Sequence, residues 1–237
     1  MRDVNRRNFL AGVSLAGVGL GLAGCSRTTS TASNGPSPAP ITSPVYSYTP
    51  ANYGATSDRF PVPAVDTSKI NPMFLRQEVA YVTKEPPGTI VIDPQGKFLY
   101  YVQPGGRAIR YGVGVGKQGF AWSGTATINS KQEWPDWYPP KEMIERRPDI
   151  KPQLSQLQSG IGMHGGPGNP LGARAMYLWQ DGKDTLYRIH GTVEPYSIGT
   201  NVSSGCIRMI NQDAIDLYNR TPTGTRVVVL GSGARVS

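Results

Sequence analysis

The sequence predicts a mainly β domain made of short strands, preceded by a long non-globular leader. Three observations carry this expectation. Beyond residue 88 the apolar residues come in short runs rich in Val, Ile and Tyr, and Gly, Pro and Asp turns separate the runs. Only one segment of useful length, Asn211 to Arg220, combines helical spacing with end signals. Glycine (29) and proline (21) are abundant and much of the proline precedes residue 90, so the globular part is shorter than the 237-residue chain.

Residues 1–24 read as an export signal and stay outside the fold. Arg2, Arg6 and Arg7 form a positive start, and Phe9 to Ala23 is uncharged but shorter than the ~20 residues a spanning helix needs. Asn5-Arg6-Arg7-Asn8-Phe9-Leu10 resembles a twin-arginine signal, and Leu22-Ala23-Gly24-Cys25 looks like a lipobox. Cys25 is then the expected lipidation site, with the protein exported, periplasmic and membrane-anchored. Residues 25–52, rich in Ser, Thr and Pro, read as a disordered tether. Residues 53–87 read as an extended arm packed against the domain, with Val79 to Val82 the one strand-like run.

The domain is expected over 88–231. Thr89 to Ile92, Lys97 to Val102 and Arg107 to Val115 read as strands joined by turns at Asp93 to Gly96 and Pro104 to Gly106, an antiparallel arrangement. Gly114 to Gly119 spells G-x-G-x-x-G, but Phe120 to Thr125 after it has no helical period, so no cofactor is expected from it. Thr125 to Ile128 is the next strand. Trp134 to Pro140 is an aromatic, proline-rich loop, Lys141 to Arg147 a short helix, and Ile161 to Leu171, which holds His164, an irregular segment. Ala175 to Trp179 and Thr185 to Ile189 read as strands around a turn at Asp181 to Lys183. Asn211 to Arg220 reads as a helix capped by Asn211, and Arg226 to Leu230 as a final, central strand.

The reactive residues concentrate in Ile189 to Met209, IHGTVEPYSIGTNVSSGCIRM, which holds one of two histidines and one of two cysteines. A thiol needs a base to act as a nucleophile near neutral pH, and His190 at a strand end can supply one to Cys206. Gly191 has no side chain to stop its carbonyl facing the second ring nitrogen. Ser203, Ser204 and Gly205 let the backbone turn so that amides at Gly205 and Cys206 meet a developing oxyanion. Arg208 is placed either to hold a carboxylate or to support the loop. Each residue alone is more often structural; the Gly/Ser loop and Cys25 at the processing site favour Cys206 as a free, catalytic thiol. His164, His190 and Cys206 lack the spacing of a zinc site. The net charge of +8 is dispersed and points to no nucleic-acid partner.

HGT…SSGCIRM closely resembles the active-site motif of the L,D-transpeptidases of the YkuD-domain family, and Gly168 to Gly172 is similar to a segment frequent there. The resemblance covers roughly Gly88 to Leu230. It implies a β-sandwich-like catalytic domain with a few short helices, acting on peptidoglycan peptide stems through a cysteine acyl-enzyme. Carried over, Cys206 is the nucleophile, His190 the base and acid, and the Gly191 carbonyl the group that orients it. Ser203 and Gly205 shape the loop, and Arg208 binds or orients substrate. In the family the cysteine attacks the L-centre carbonyl of the third stem residue, expels D-alanine, and passes the acyl group to an amine or to water. The motif does not separate a transpeptidase from a hydrolase, and a non-catalytic wall-binding lipoprotein is the reading from another class. His164 lies outside the motif, either at the cleft or closing a loop.

Overall fold

The computed structural model describes residues 49–116, 122–202 and 206–231. The chain divides into two units, Met1–Thr42 and Ser43–Ser237, and every described residue belongs to the second. The expected signal, Cys25 and most of the 25–52 tether lie outside the described residues, as do Ser203 and Gly205.

The described strands are β1 Gln77–Ala80, β2 Ile90–Asp93, β3 Phe98–Gln103, β4 Arg107–Gly112, β5 Gly114–Gly116, β6 Gly124–Glu133, β7 Ser155–Leu157, β8 Gly160–Gly162, β9 Arg174–Gln180, β10 Lys183–His190, β11 Asn201–Val202, β12 Ile207–Arg208 and β13 Arg226–Val229. Two α-helices accompany them, α1 Lys141–Arg146 and α2 Asn211–Arg220. Eleven strands form one sheet in the order β1-β4-β3-β2-β13-β6-β9-β10-β12-β5-β11, with β7 and β8 as a separate hairpin. The domain is mostly β, as the strand runs and turns predict.

The central strands read as unbroken apolar runs because both of their faces are covered. Ile90 and Ile92 of β2, Leu99 of β3 and Val227 and Val229 of β13 join one core cluster, which Ala214 and Leu217 of α2 complete. The alternate residues Val91, Phe98, Tyr100 and Val102 join a second cluster. Burying such a side chain fully is worth roughly 1.5–3 kcal/mol, whereas intrinsic strand preferences span only ~1 kcal/mol. Two-faced burial therefore decides where these strands lie.

Ahead of β2 the chain runs through 3-10 turns at Pro50–Tyr53, Thr67–Lys69 and Pro72–Phe74, started by proline or by an Asp66 or Asn71 side chain accepting a backbone N–H. Tyr53 is buried with Ile70, Ile198 and Ile210. β1 then extends the sheet by pairing antiparallel with β4. It begins two residues before the run read from the sequence, because its register with Arg107–Arg110 starts at Gln77.

The sheet is mixed rather than antiparallel. β13 pairs parallel with β2 and antiparallel with β6, and β10–β12 and β5–β11 are parallel pairs. These partners are far apart in sequence, so no hairpin imposes antiparallel pairing on them. β6 runs five residues past Ile128, through a register shift, because its polar second half gains backbone bonds from β9 that leave no apolar signature. β7 and β8 are too short and too exposed to register as alternation. Asn211 is not the cap of α2: Ile210 holds that position with no side-chain capping bond.

Candidate active site

β9 and β10 form a hairpin whose turn residues Asp181 and Gly182 have φ of 50° and 73°, the left-handed pair that matches the twist of two-residue hairpins. Beyond the turn β10 is irregular. Asp184 is paired with Trp179 and Arg188 with Tyr177, so four steps on β10 face two on β9. Leu186, at the bulge, has φ 63° and is 76% exposed at the rim of a cleft. Four residues of regular strand span about 13 Å, yet both Asp184 carboxylate oxygens accept from the Arg188 guanidinium at 2.7 Å. The bulge is what brings the two together.

β10 returns to register at Arg188 and pairs parallel with β12, Ile189 with Ile207 and His190 with Arg208. Ile189 and Ile207 are buried in the core. Strand alternation therefore sends Arg188, His190, Cys206 and Arg208 to the other face. All four line a cleft of about 1340 Å³, roofed by the loop at Asp136–Tyr138 and by α1.

His190 is 4% exposed, and its Nδ1 lies 2.6 Å from the Gly191 carbonyl oxygen. A carbonyl only accepts, so Nδ1 carries the proton and Nε2 keeps its lone pair. Burial above all, helped by the charges of Arg208 and Arg188 and opposed by the Gly191 hydrogen bond, lowers the imidazole to about 4. The ring is neutral at neutral pH. Cys206 is free and partly exposed. Burial raises its thiol, while a main-chain hydrogen bond from Arg188 and the charges of Arg188 and Arg208 act the other way. The resting pair is thus neutral thiol and neutral imidazole, suited to moving one proton as the sulfur attacks.

Arg208 donates from Nη1 to Glu194 Oε2 at 2.7 Å and to Ser197 Oγ at 3.0 Å. It lines the cleft already braced by a carboxylate of the loop after β10. His164 stands apart: its side chain is 77% exposed, 3.6 Å from Asp136, and does not line the cleft. The Gly168–Gly172 segment works through Asn169, whose amide donates to the carbonyls of Pro135, Met163 and His164 and ties the aromatic loop down. Among the described residues no group of three His, Cys, Asp or Glu side chains is placed to hold a metal.

Arg188 is the site residue that the sequence motif does not mark. Its signal was present: it stands two positions before His190 on a strand, and therefore on the same face. Asn211 is the other. Its Oδ1 accepts from the backbone N–H of Ala173 at 3.0 Å and of Thr192 at 3.1 Å. A Cβ on Gly172 or Gly191 would collide with that oxygen.

A mostly β domain that presents a free thiol and a tautomer-fixed imidazole to one open cleft defines the structural class. Within it the family is clear: residues 87–229 match the YkuD family, the L,D-transpeptidase catalytic domain, and the chain belongs to it. Among curated relatives, the probable L,D-transpeptidase ErfK/SrfK of Escherichia coli K12 is 32% identical over 148 residues, covering 60% of this chain and 43% of that protein. The putative L,D-transpeptidase YkuD of Bacillus subtilis is 46% identical over 80 residues, covering 32% and 46%. These alignments span less than half the length of the relatives. A crystal structure from Brucella melitensis, titled a probable carnitine operon oxidoreductase, is 55% identical over 70% of this chain and 99% of that one, with a TM-score of 0.45. In the present chain Gly114–Gly116, the described part of the G-x-G-x-x-G stretch, is the strand β5.

Proposed function

We propose that the protein is a peptidoglycan L,D-transpeptidase that uses Cys206 as nucleophile and His190 as base and acid. The observation that carries this reading is the shared face of β10 and β12: thiol and imidazole line one cleft, with Nδ1 fixed on the Gly191 carbonyl.

In the proposed reaction the Cys206 proton passes to His190 Nε2 as Sγ attacks the L-centre carbonyl of the third stem residue. Backbone N–H groups at Gly205 and Cys206 meet the oxyanion, an assignment made from the sequence, as is the loop-shaping role of Ser203. Collapse breaks the bond to the terminal D-alanine, whose nitrogen takes the proton from Nε2, and leaves a thioester. An amine of a second stem or of a protein then attacks, His190 removes its proton, and the thiol is restored. Arg188 and Arg208 give the cleft floor a positive field suited to stem carboxylates and to the sulfur in its charged moments.

The compartment is part of the same proposal: export on a twin-arginine-type signal and attachment through lipid on Cys25. No described helix is long and apolar enough to cross a membrane, and the attachment proposed is through Cys25. Mass spectrometry of the membrane-extracted protein tests it, and an unmodified amino terminus at another cleavage site would overturn it.

The reaction is tested by incubating the protein with purified tetrapeptide-containing peptidoglycan and analysing the muropeptides. Release of D-alanine together with 3→3 crosslinked dimers is expected. Tripeptides without dimers would assign water as the acceptor, and no release at all would sink the proposal.

A further inference from the structure

We infer that Asn211 is a positioning residue of this site: its side-chain oxygen grips the Gly191–Thr192 peptide and thereby fixes the ring of His190. The inference rests on the proposed role of His190 as base.

The Thr192 N–H that donates to Asn211 Oδ1 at 3.1 Å belongs to the same peptide group as the Gly191 carbonyl that accepts from His190 Nδ1 at 2.6 Å. In a trans peptide the N–H and C=O vectors point in opposite directions. Holding the N–H toward α2 therefore aims the carbonyl at the imidazole. The result is one relay, Asn211 oxygen to Thr192 N–H, through the amide to the Gly191 oxygen, and on to the His190 ring. Each bond polarises the next.

Four further observations support the placing of this oxygen. The same Oδ1 accepts from Ala173 N–H at 3.0 Å, so it ties the chain entering β9 to the chain leaving β10. The space around it is filled by backbone, and a Cβ on Gly172 or Gly191 would meet it. The helix start forgoes a side-chain cap at Ile210 although an asparagine stands next in the chain. The first turn of α2 is itself held, because Gln212 Nε2 donates to the carbonyls of Gly54 at 3.0 Å and Pro63 at 2.9 Å. Asn211 does not line the cleft, so it acts through His190 and not on substrate.

With Asn211→Ala the peptide is free to tilt and Nδ1–H loses its fixed acceptor. Removing an orienting partner one step from a working histidine ring costs roughly 10–100-fold, and D-alanine release should fall by that much in kcat with KM for the donor stem within about twofold. Asn211→Asp keeps an oxygen that accepts both N–H groups and should recover most of the rate.

The decisive readout is ring-15N NMR of the full chain labelled at histidine. There are two histidines, and the exposed His164 serves as the internal reference. The unsubstituted protein and Asn211→Asp should show His190 as the single Nδ1–H tautomer, and Asn211→Ala a mixture. Asn211→Ser, whose shorter side chain fills part of the space but cannot span both N–H groups, should also show the mixture if Asn211→Ala fails to fold. A single Nδ1–H tautomer at an unchanged rate in the Ala or Ser variant would overturn the inference. If the unsubstituted protein releases no D-alanine, the proposed reaction fails while the tautomer measurement still tests the clamp.

Discussion

The hydroxyl of Tyr53 donates to the Asp213 carboxylate at 3.2 Å, joining residues 160 positions apart. The backbone N–H of Arg76 donates to the same hydroxyl at 2.6 Å, and the Arg76 guanidinium reaches Asp213 at 3.6 Å and Asp216 at 2.8 Å. Two residues that precede β2 in the chain and lie outside the matched family region, Tyr53 and Arg76, thus hold the buried side of α2. Asp213 is fully buried, and that burial raises it to about 7, with Arg76 and Tyr53 opposing.

Arg76→Leu should destabilise the protein by about 3–5 kcal/mol, the usual cost of taking one partner from a buried ionic group. Thermal unfolding measures it. A loss below about 1 kcal/mol would mean that the arm is not energetically coupled to α2.

Asp213 also sets a pH dependence. Its folded pKa, about 7, lies above the ordinary 3.8, so the folded state binds the proton more tightly. The associated stability is complete below pH ~4 and is lost as pH rises through 7. His190 acts oppositely: lowered from 6.5 to about 4, it contributes above pH 6.5 and the contribution is lost as pH falls to 4. The two slopes oppose each other between pH 4 and 6.5, so in denaturant melts Asp213→Asn should make the slope of stability against pH between 4 and 7 more positive than in the unsubstituted protein. An unchanged slope would assign the titration elsewhere.

Cys206→Ala should abolish D-alanine release, and a thiol alkylator or a carbapenem should give a single adduct on Cys206 by intact mass and peptide mapping. The warrant is a free thiol that lines the same open cleft as the His190 imidazole. An adduct on another residue, or full release by the Ala variant, would refute the assignment of the nucleophile.

The resting neutral pair also predicts the activity profile. Protonation of His190 removes the base, so kcat/KM should fall on the acid side with a midpoint near pH 4, where His190 titrates. A midpoint near 6.5, the value of an exposed imidazole, would show that the ring is not buried in the working enzyme.

Arg188→Met should make Cys206 harder to ionise, because the Arg188 charge lowers the thiol. Alkylation at pH 8 should slow by roughly tenfold. Arg188→Lys should fall between the Met variant and the unsubstituted protein, since it keeps the charge but loses the bidentate grip on Asp184 that needs the guanidinium fork. Rates equal to the unsubstituted protein in both variants would remove Arg188 from the site.

Sequence alone made the strand runs, α2 and the placing of His190 and Cys206 on one cleft legible, for identifiable reasons. β-branched runs report burial on two faces, and α2 carries both periodicity and end signals. What stayed hidden depends on contacts between distant residues. The parallel insertion of β13 between β2 and β6 is a matter of long-range pairing. The polar half of β6 is held by backbone bonds that any side chain permits. Asn211 has the residue type and place of a cap, and only the three-dimensional approach of Ala173 and Thr192 gives its oxygen other partners.

The bulge in β10 separates a part of the cleft that can vary from a part that is held. Pairing is regular before it, Lys183 with Gln180, and again after it from Arg188 with Tyr177. Alterations in length or bulk at Thr185–Tyr187 are absorbed inside the bulge, so they reshape the cleft rim at Leu186 while leaving His190 and Cys206 where they are. A variable rim and a fixed imidazole thereby occupy adjacent stretches of one strand.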